Sequence, residues 1–172
     1  MENFKSKHEL FLFIKSSISQ DIILTGSTAL KIMGLTDKSD ECDLDIVIPM
    51  PTENTKKQLD LLKLVFPKNV PATDTKPEKP TKKEENDGYD EDSSSLIDGL
   101  GETIFLNVSQ AEKPIKCHIF LWNSPVEFLT TKVGAETINI SKPGDIFWAK
   151  KTMGRRKDYQ QLAEVCAYIF RP

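Results

Sequence analysis

Two short patterns in the first third of the chain have the residue types and spacing for phosphate chemistry. The first is Gly26-Ser27, which closes the apolar run "DIILT" and opens the helix-forming stretch "STALKIMG". Glycine lets the backbone approach a ligand closely, a helix start presents free N–H groups to phosphate oxygens, and Ser27 adds a hydroxyl. The second is Asp43-x-Asp45 in "CDLDIVIP". Side chains alternate along a strand, so Asp43 and Asp45 point the same way and Leu44 and Ile46 the other. Two neighbouring carboxylates repel unless a cation lies between them, and the hard cation that takes oxygen ligands and also chelates phosphates is Mg²⁺, with Mn²⁺ as its substitute. Each pattern alone has an ordinary reading, an N-cap or a solvated strand face. Together, on successive strand ends, they describe a nucleoside triphosphate site suited to metal-assisted phosphoryl or nucleotidyl transfer.

The surrounding sequence supplies the elements that must hold these groups. Phe4, Leu10, Phe11, Phe13 and Ile14 fit one helical face and predict a helix over 4–18. "DIILT" reads as a buried strand, "STALKIMG" as a helix ended by Gly34, "CDLDIVIP" as a strand stopped by prolines, and "TENTKKQLDLLKLVF" as a helix capped by Thr52. Further on, "ETIFLNVS", "KPIKCHIFLW" and "AETINIS" read as strands, "PVEFLTT" as a short helix, and "PGDIFWAKKTM" and "DYQQLAEVCAYIF" as two closing helices joined by "GRRKD". This order predicts an α/β or α+β domain in which helices flank a mixed sheet. Residues 71–95 are rich in Pro, Lys, Glu, Asp and Ser, and are expected to form a long flexible acidic and Pro-rich insertion within a single 1–172 domain.

Composition limits the alternatives. A net charge of −3 over 172 residues does not advertise a nucleic-acid-binding protein, and no apolar stretch is long enough for a membrane span. Three widely spaced cysteines, Cys42, Cys117 and Cys166, do not form a disulfide framework and suit a reducing, cytoplasmic setting. Cys117 and His118 alternate on their strand, so a Cys–His dyad between them is not expected. Trp122 and Trp148 read as core or cleft-wall aromatics.

The pattern "GSTALKIMGL…DECDLDIVI" resembles the first motif of the polymerase-β-like nucleotidyltransferase superfamily, and more closely its minimal AbiEii/AbiGii-toxin-like members. The later stretch "DIFWAKKTMGRRKDYQQL" resembles their second motif. The resemblance covers roughly 20–50 and 114–165. It implies that Gly26 and Ser27 hold triphosphate oxygens and that Asp43 and Asp45 bind Mg²⁺. Lys150 would reach the nucleotide phosphates. Arg155, Lys157 and Asp158 would line the cleft, with Asp158 able to activate the acceptor. It further implies a cytoplasmic nucleotidyltransferase that moves a nucleotide from an NTP to an RNA, a tRNA or a protein, within a toxin–antitoxin or phage-defence system, with an antitoxin or a second copy as partner. Lys150 also stands out on its own, as a cation inside an otherwise apolar helix that needs an anionic partner.

The sequence departs from the family where a third carboxylate usually stands. His118 of "IKCHIFL" occupies that place. A neutral histidine can ligate a metal or act as a base, or it can be a strand residue with a structural hydrogen bond. It cannot supply the third negative charge. Two further readings follow: a degenerate module that binds nucleotide or nucleic acid without transferring it, and a scaffold that engages a protein partner.

Overall fold

The computed structural model describes residues 4, 6–36, 43–66, 99–108, 114–154 and 156–169. The expected 71–95 insertion, Cys42 and Arg155 lie outside the described residues.

Helix α1, Lys7–Ser17, starts where the Ser6 hydroxyl accepts the Glu9 N–H, and it buries Leu10, Phe11 and Ile14. Strand β1, Ile23–Thr25, runs directly into helix α2, Gly26–Ile32. Gly34 lies just past that helix at φ 72° and donates its N–H to Lys31, which ends α2 as its sequence suggested. Strand β2 is Leu44–Pro49 and helix α3 is Glu53–Val65. Thr52 caps α3 by accepting the Thr55 N–H. Strands β3, Leu100–Val108, β4, Ile115–Trp122, β5, Phe128–Val133, and β6, Glu136–Ser141, precede helices α4, Pro143–Met153, and α5, Arg156–Ile169. Among the described residues no helix is long and apolar enough to cross a membrane.

The six strands form one mixed sheet in the order β3-β4-β2-β1-β6-β5. Strands β1 and β2 are antiparallel, while β2 with β4 and β1 with β6 are parallel. The α/β architecture with helices against a mixed sheet agrees with the sequence pattern. One element differs. The stretch "PVEFLTT", expected to be a short helix, contributes to strand β5, which pairs antiparallel with β6 across a tight turn at Gly134. Its Thr130, Thr131 and Val133 are β-branched, and a ready neighbour outweighs weak helix propensity.

Alternation sorts the central strands. Leu44, Ile46 and Ile48 of β2 and Cys117, Ile119 and Leu121 of β4 are buried in the same core as Leu10, Phe11 and Ile14 of α1 and Leu59 and Leu62 of α3. Each such side chain stabilises the fold by roughly 1.5–3 kcal/mol. The intervening residues, Asp45 and Val47 on β2 and His118, Phe120 and Trp122 on β4, face a cleft. The same strands that build the core therefore aim the polar groups.

Candidate functional site

The cleft has a volume of about 980 Å³ and is walled by the sheet, the start of α2, and helices α4 and α5. At its centre Asp45 is paired in register with Thr25 of β1 on one side and His118 of β4 on the other. Its carboxylate packs on Gly26, where an added Cβ would collide with it. Gly26 also has φ 66°, a conformation glycine adopts readily and other residues resist. The first glycine of the motif is thus used to let a carboxylate approach the backbone.

His118 joins the two acids. Its Nδ1 lies within hydrogen-bond distance of Asp45 Oδ1, at 3.2 Å, and its Nε2 lies 3.8 Å from Asp43 Oδ2. Phe105, directly across on β3, meets the ring edge-on at a centroid distance of 5.1 Å. The imidazole is only 12% exposed.

This arrangement corrects the expected metal site. Among the described residues no group of three or more His, Cys, Asp or Glu side chains is placed to hold a metal ion, so Asp43, Asp45 and His118 do not form the expected Mg²⁺ or Mn²⁺ centre. The ring nitrogens of His118 lie against the carboxylates themselves, Nδ1 3.2 Å from Asp45 Oδ1 and Nε2 3.8 Å from Asp43 Oδ2.

In the same cleft, four buried side chains from three helices converge. Lys150 of α4 is 6% exposed, and its Nζ lies 3.4 Å from Asp158 Oδ1 of α5 and 3.4 Å from Ser27 Oγ of α2. Ser27 Oγ donates to Gln161 Oε1 at 2.8 Å. The anionic partner that the lone lysine required is Asp158, itself 1% exposed. Gly154, at φ 63°, makes this possible: it ends α4 by donating its N–H to the Lys150 carbonyl, and the chain reverses so that α5 brings Asp158 back. Ser27 and Lys150 are 123 residues apart in sequence, yet both line the same cleft.

Of the residues singled out in sequence, Gly26, Ser27, Asp43, Asp45, His118, Lys150 and Asp158 all line the cleft. Lys157 lies on α5, but its side chain is outside the described residues, as is all of Arg155. Gln161 was missed. Its signal was its spacing: three residues after Asp158 on a helix, it shares that residue's face. Also missed were Lys116 and the ion pair of Lys142 with Glu127, all at the cleft wall. The Lys142 ammonium holds the Glu127 carboxyl below the ordinary carboxylate range. Phe120 and Trp122 provide an aromatic floor and Trp148 part of the rim.

No protein-family model, no curated protein and no solved structure matches the chain.

Proposed function

We propose that this chain is a nucleotidyltransferase-like module that holds a nucleotide in the cleft and does not carry out metal-assisted transfer. The observation that carries the reading is the convergence, on one cleft, of both motif halves: Ser27 with Lys150 and Asp158, and Asp43 and Asp45 with His118. The cleft is within the roughly 300–1,000 Å³ typical of small-molecule sites. Phe120 and Trp122 offer flat apolar surface to a base. Lys150 offers a phosphate its charge next to a serine hydroxyl, in surroundings where solvent screens little. His118 lies against both carboxylates, 3.2 Å from Asp45 and 3.8 Å from Asp43, and among the described residues the three are not placed to hold a metal ion, which favours binding over transfer.

Isothermal titration of ATP and AMP in EDTA tests the reading. Binding is expected, and Lys150→Ala, titrated where circular dichroism shows it folded, should weaken it about tenfold or more, the loss of one charge-assisted hydrogen bond of roughly 1.5–3 kcal/mol. A parallel incubation with α-labelled NTPs and total RNA or cell extract, in buffers with and without divalent ions, should show no label moved to an acceptor. Label transfer that disappears in Asp43→Asn or Asp45→Asn would contradict the binding reading and restore the transferase one.

A further inference from the structure

The two edges of the sheet differ. Strand β3 is guarded in ordinary ways: its register with β4 is irregular between Leu100 and Thr103, and Glu102 is tied to Lys63 of α3. Strand β5, at the opposite edge, pairs with β6 alone among the described residues. It keeps one register throughout, from Phe128 with Ser141 to Val133 with Glu136. Its sequence "FLTTKV" has no proline and no acid. Phe128 is 38% exposed and Leu129 43% exposed. An unguarded edge of this kind is a template for another strand.

The turn beside β5 decides which backbone groups are open. Val133 and Glu136 flank the two-residue turn Gly134–Ala135, with Gly134 at φ 62°, and close it as a hydrogen-bonded pair. By alternation, Thr131 with Ile138 and Leu129 with Ile140 are hydrogen-bonded pairs too. Phe128, Thr130 and Lys132 therefore aim their N–H and C=O groups away from β6. Their side chains share one face of the sheet, and Leu129, Thr131 and Val133 share the other.

An antiparallel copy of the same strand matches this row. With a two-fold axis at Thr130, Phe128 of each copy faces Lys132 of the other, Thr130 faces its own counterpart, and every outward N–H and C=O of these residues is paired. The one charge of the strand, Lys132, then meets an aromatic ring instead of a second lysine. On the other face Leu129 comes opposite Thr131, so pairing withdraws both exposed apolar side chains from water. We propose that two copies of this chain associate through β5, joining their sheets in one antiparallel ladder centred on Thr130. This surface is independent of the nucleotide reading above.

So short a ladder belongs with weak interfaces, so the test is sedimentation velocity of the full chain from micromolar to submillimolar concentration. A dimer that grows with concentration is expected. Thr130→Pro removes the central outward N–H and leaves the bonds to β6 in place, so it should abolish the dimer. Phe128→Ala keeps the backbone intact and should weaken association about fivefold. Circular dichroism checks that each variant is folded. Thr130→Cys, in a Cys42→Ser/Cys166→Ser background, should form an intermolecular disulfide on mild oxidation. Lys57→Cys in the same background, on the exposed face of α3, should not. A monomer at every concentration, the result expected if a strand of another protein is the occupant, would overturn the proposal. So would a dimer indifferent to both Thr130→Pro and Phe128→Ala, or equal cross-linking through residues 130 and 57.

Discussion

Lys150 is the residue whose chemistry most constrains the site. A buried ammonium needs its carboxylate, and the reverse holds for Asp158. Lys150→Met removes the cation facing a carboxylate that is 1% exposed, so it should destabilise the fold by about 3–5 kcal/mol. Replacing both, Lys150→Met with Asp158→Leu, should recover most of that loss in urea denaturation; a double variant no more stable than the single would show that the pair is not the reason. Gly26→Ala makes a second case. It places a methyl group against Asp45 at a positive φ, and strain of this kind should lower stability by about 1–3 kcal/mol. Asp45→Gly in the same chain should relieve part of it. Cys117 gives a pH prediction. Burial, then the negative charges of Asp45 and Asp43, pushes its thiol well above the ordinary range. In the unfolded chain the thiol ionises from about pH 8.5, whereas the folded chain keeps its proton. Stability from this source is complete below that pH and falls as pH rises through it toward the folded value. Cys117→Ala should flatten the alkaline limb. At pH 8 iodoacetamide should label Cys166, which is exposed, and leave Cys117 unmodified.

At the scale of elements, what the sequence discloses is whatever depends on local periodicity and punctuation. The alternation in "DLDIVI" and "KCHIFL" already places Asp45 and His118 opposite the core, and Thr52 and Gly34 mark helix ends for local steric and hydrogen-bonding reasons. Thr52→Ala should therefore cost α3 about 1 kcal/mol, read as a shift in denaturation midpoint with unchanged slope. Strand β5 was not legible, because six residues of mixed propensity take their conformation from β6 beside them. Nor was the fate of His118. The sequence shows a histidine where an acid was expected, but only the parallel register of β2 and β4 reveals that its ring reaches both Asp43 and Asp45. The expected metal centre failed at this step: residue types suited to a ligand set are necessary, and their placement around one point is a property of the assembled sheet. Gln161 was hidden for the same reason, since its partner Ser27 is 134 residues away.

The whole molecule joins two distant sequence segments around one cleft, and its parts have different tasks. Strands β1, β2 and β4 carry the polar groups on one face and the core on the other, so the site's geometry inherits the rigidity of the sheet. Helices α4 and α5 close the cleft through one buried ion pair. Such an assembly predicts that ligand binding stabilises the fold logarithmically with free ligand, by about 2.7 kcal/mol at a hundredfold excess over Kd. It also predicts that this stabilisation does not depend on a divalent ion. The most direct measurement is therefore the affinity of ATP and AMP for the intact chain by isothermal titration, in EDTA and again in Mg²⁺, beside Lys150→Ala under conditions where circular dichroism shows the variant folded. Binding that is similar in both buffers and about tenfold or more weaker in the variant would support a nucleotide held by the Ser27–Lys150–Asp158 wall. Binding that requires Mg²⁺, or that ignores the loss of Lys150, would contradict it.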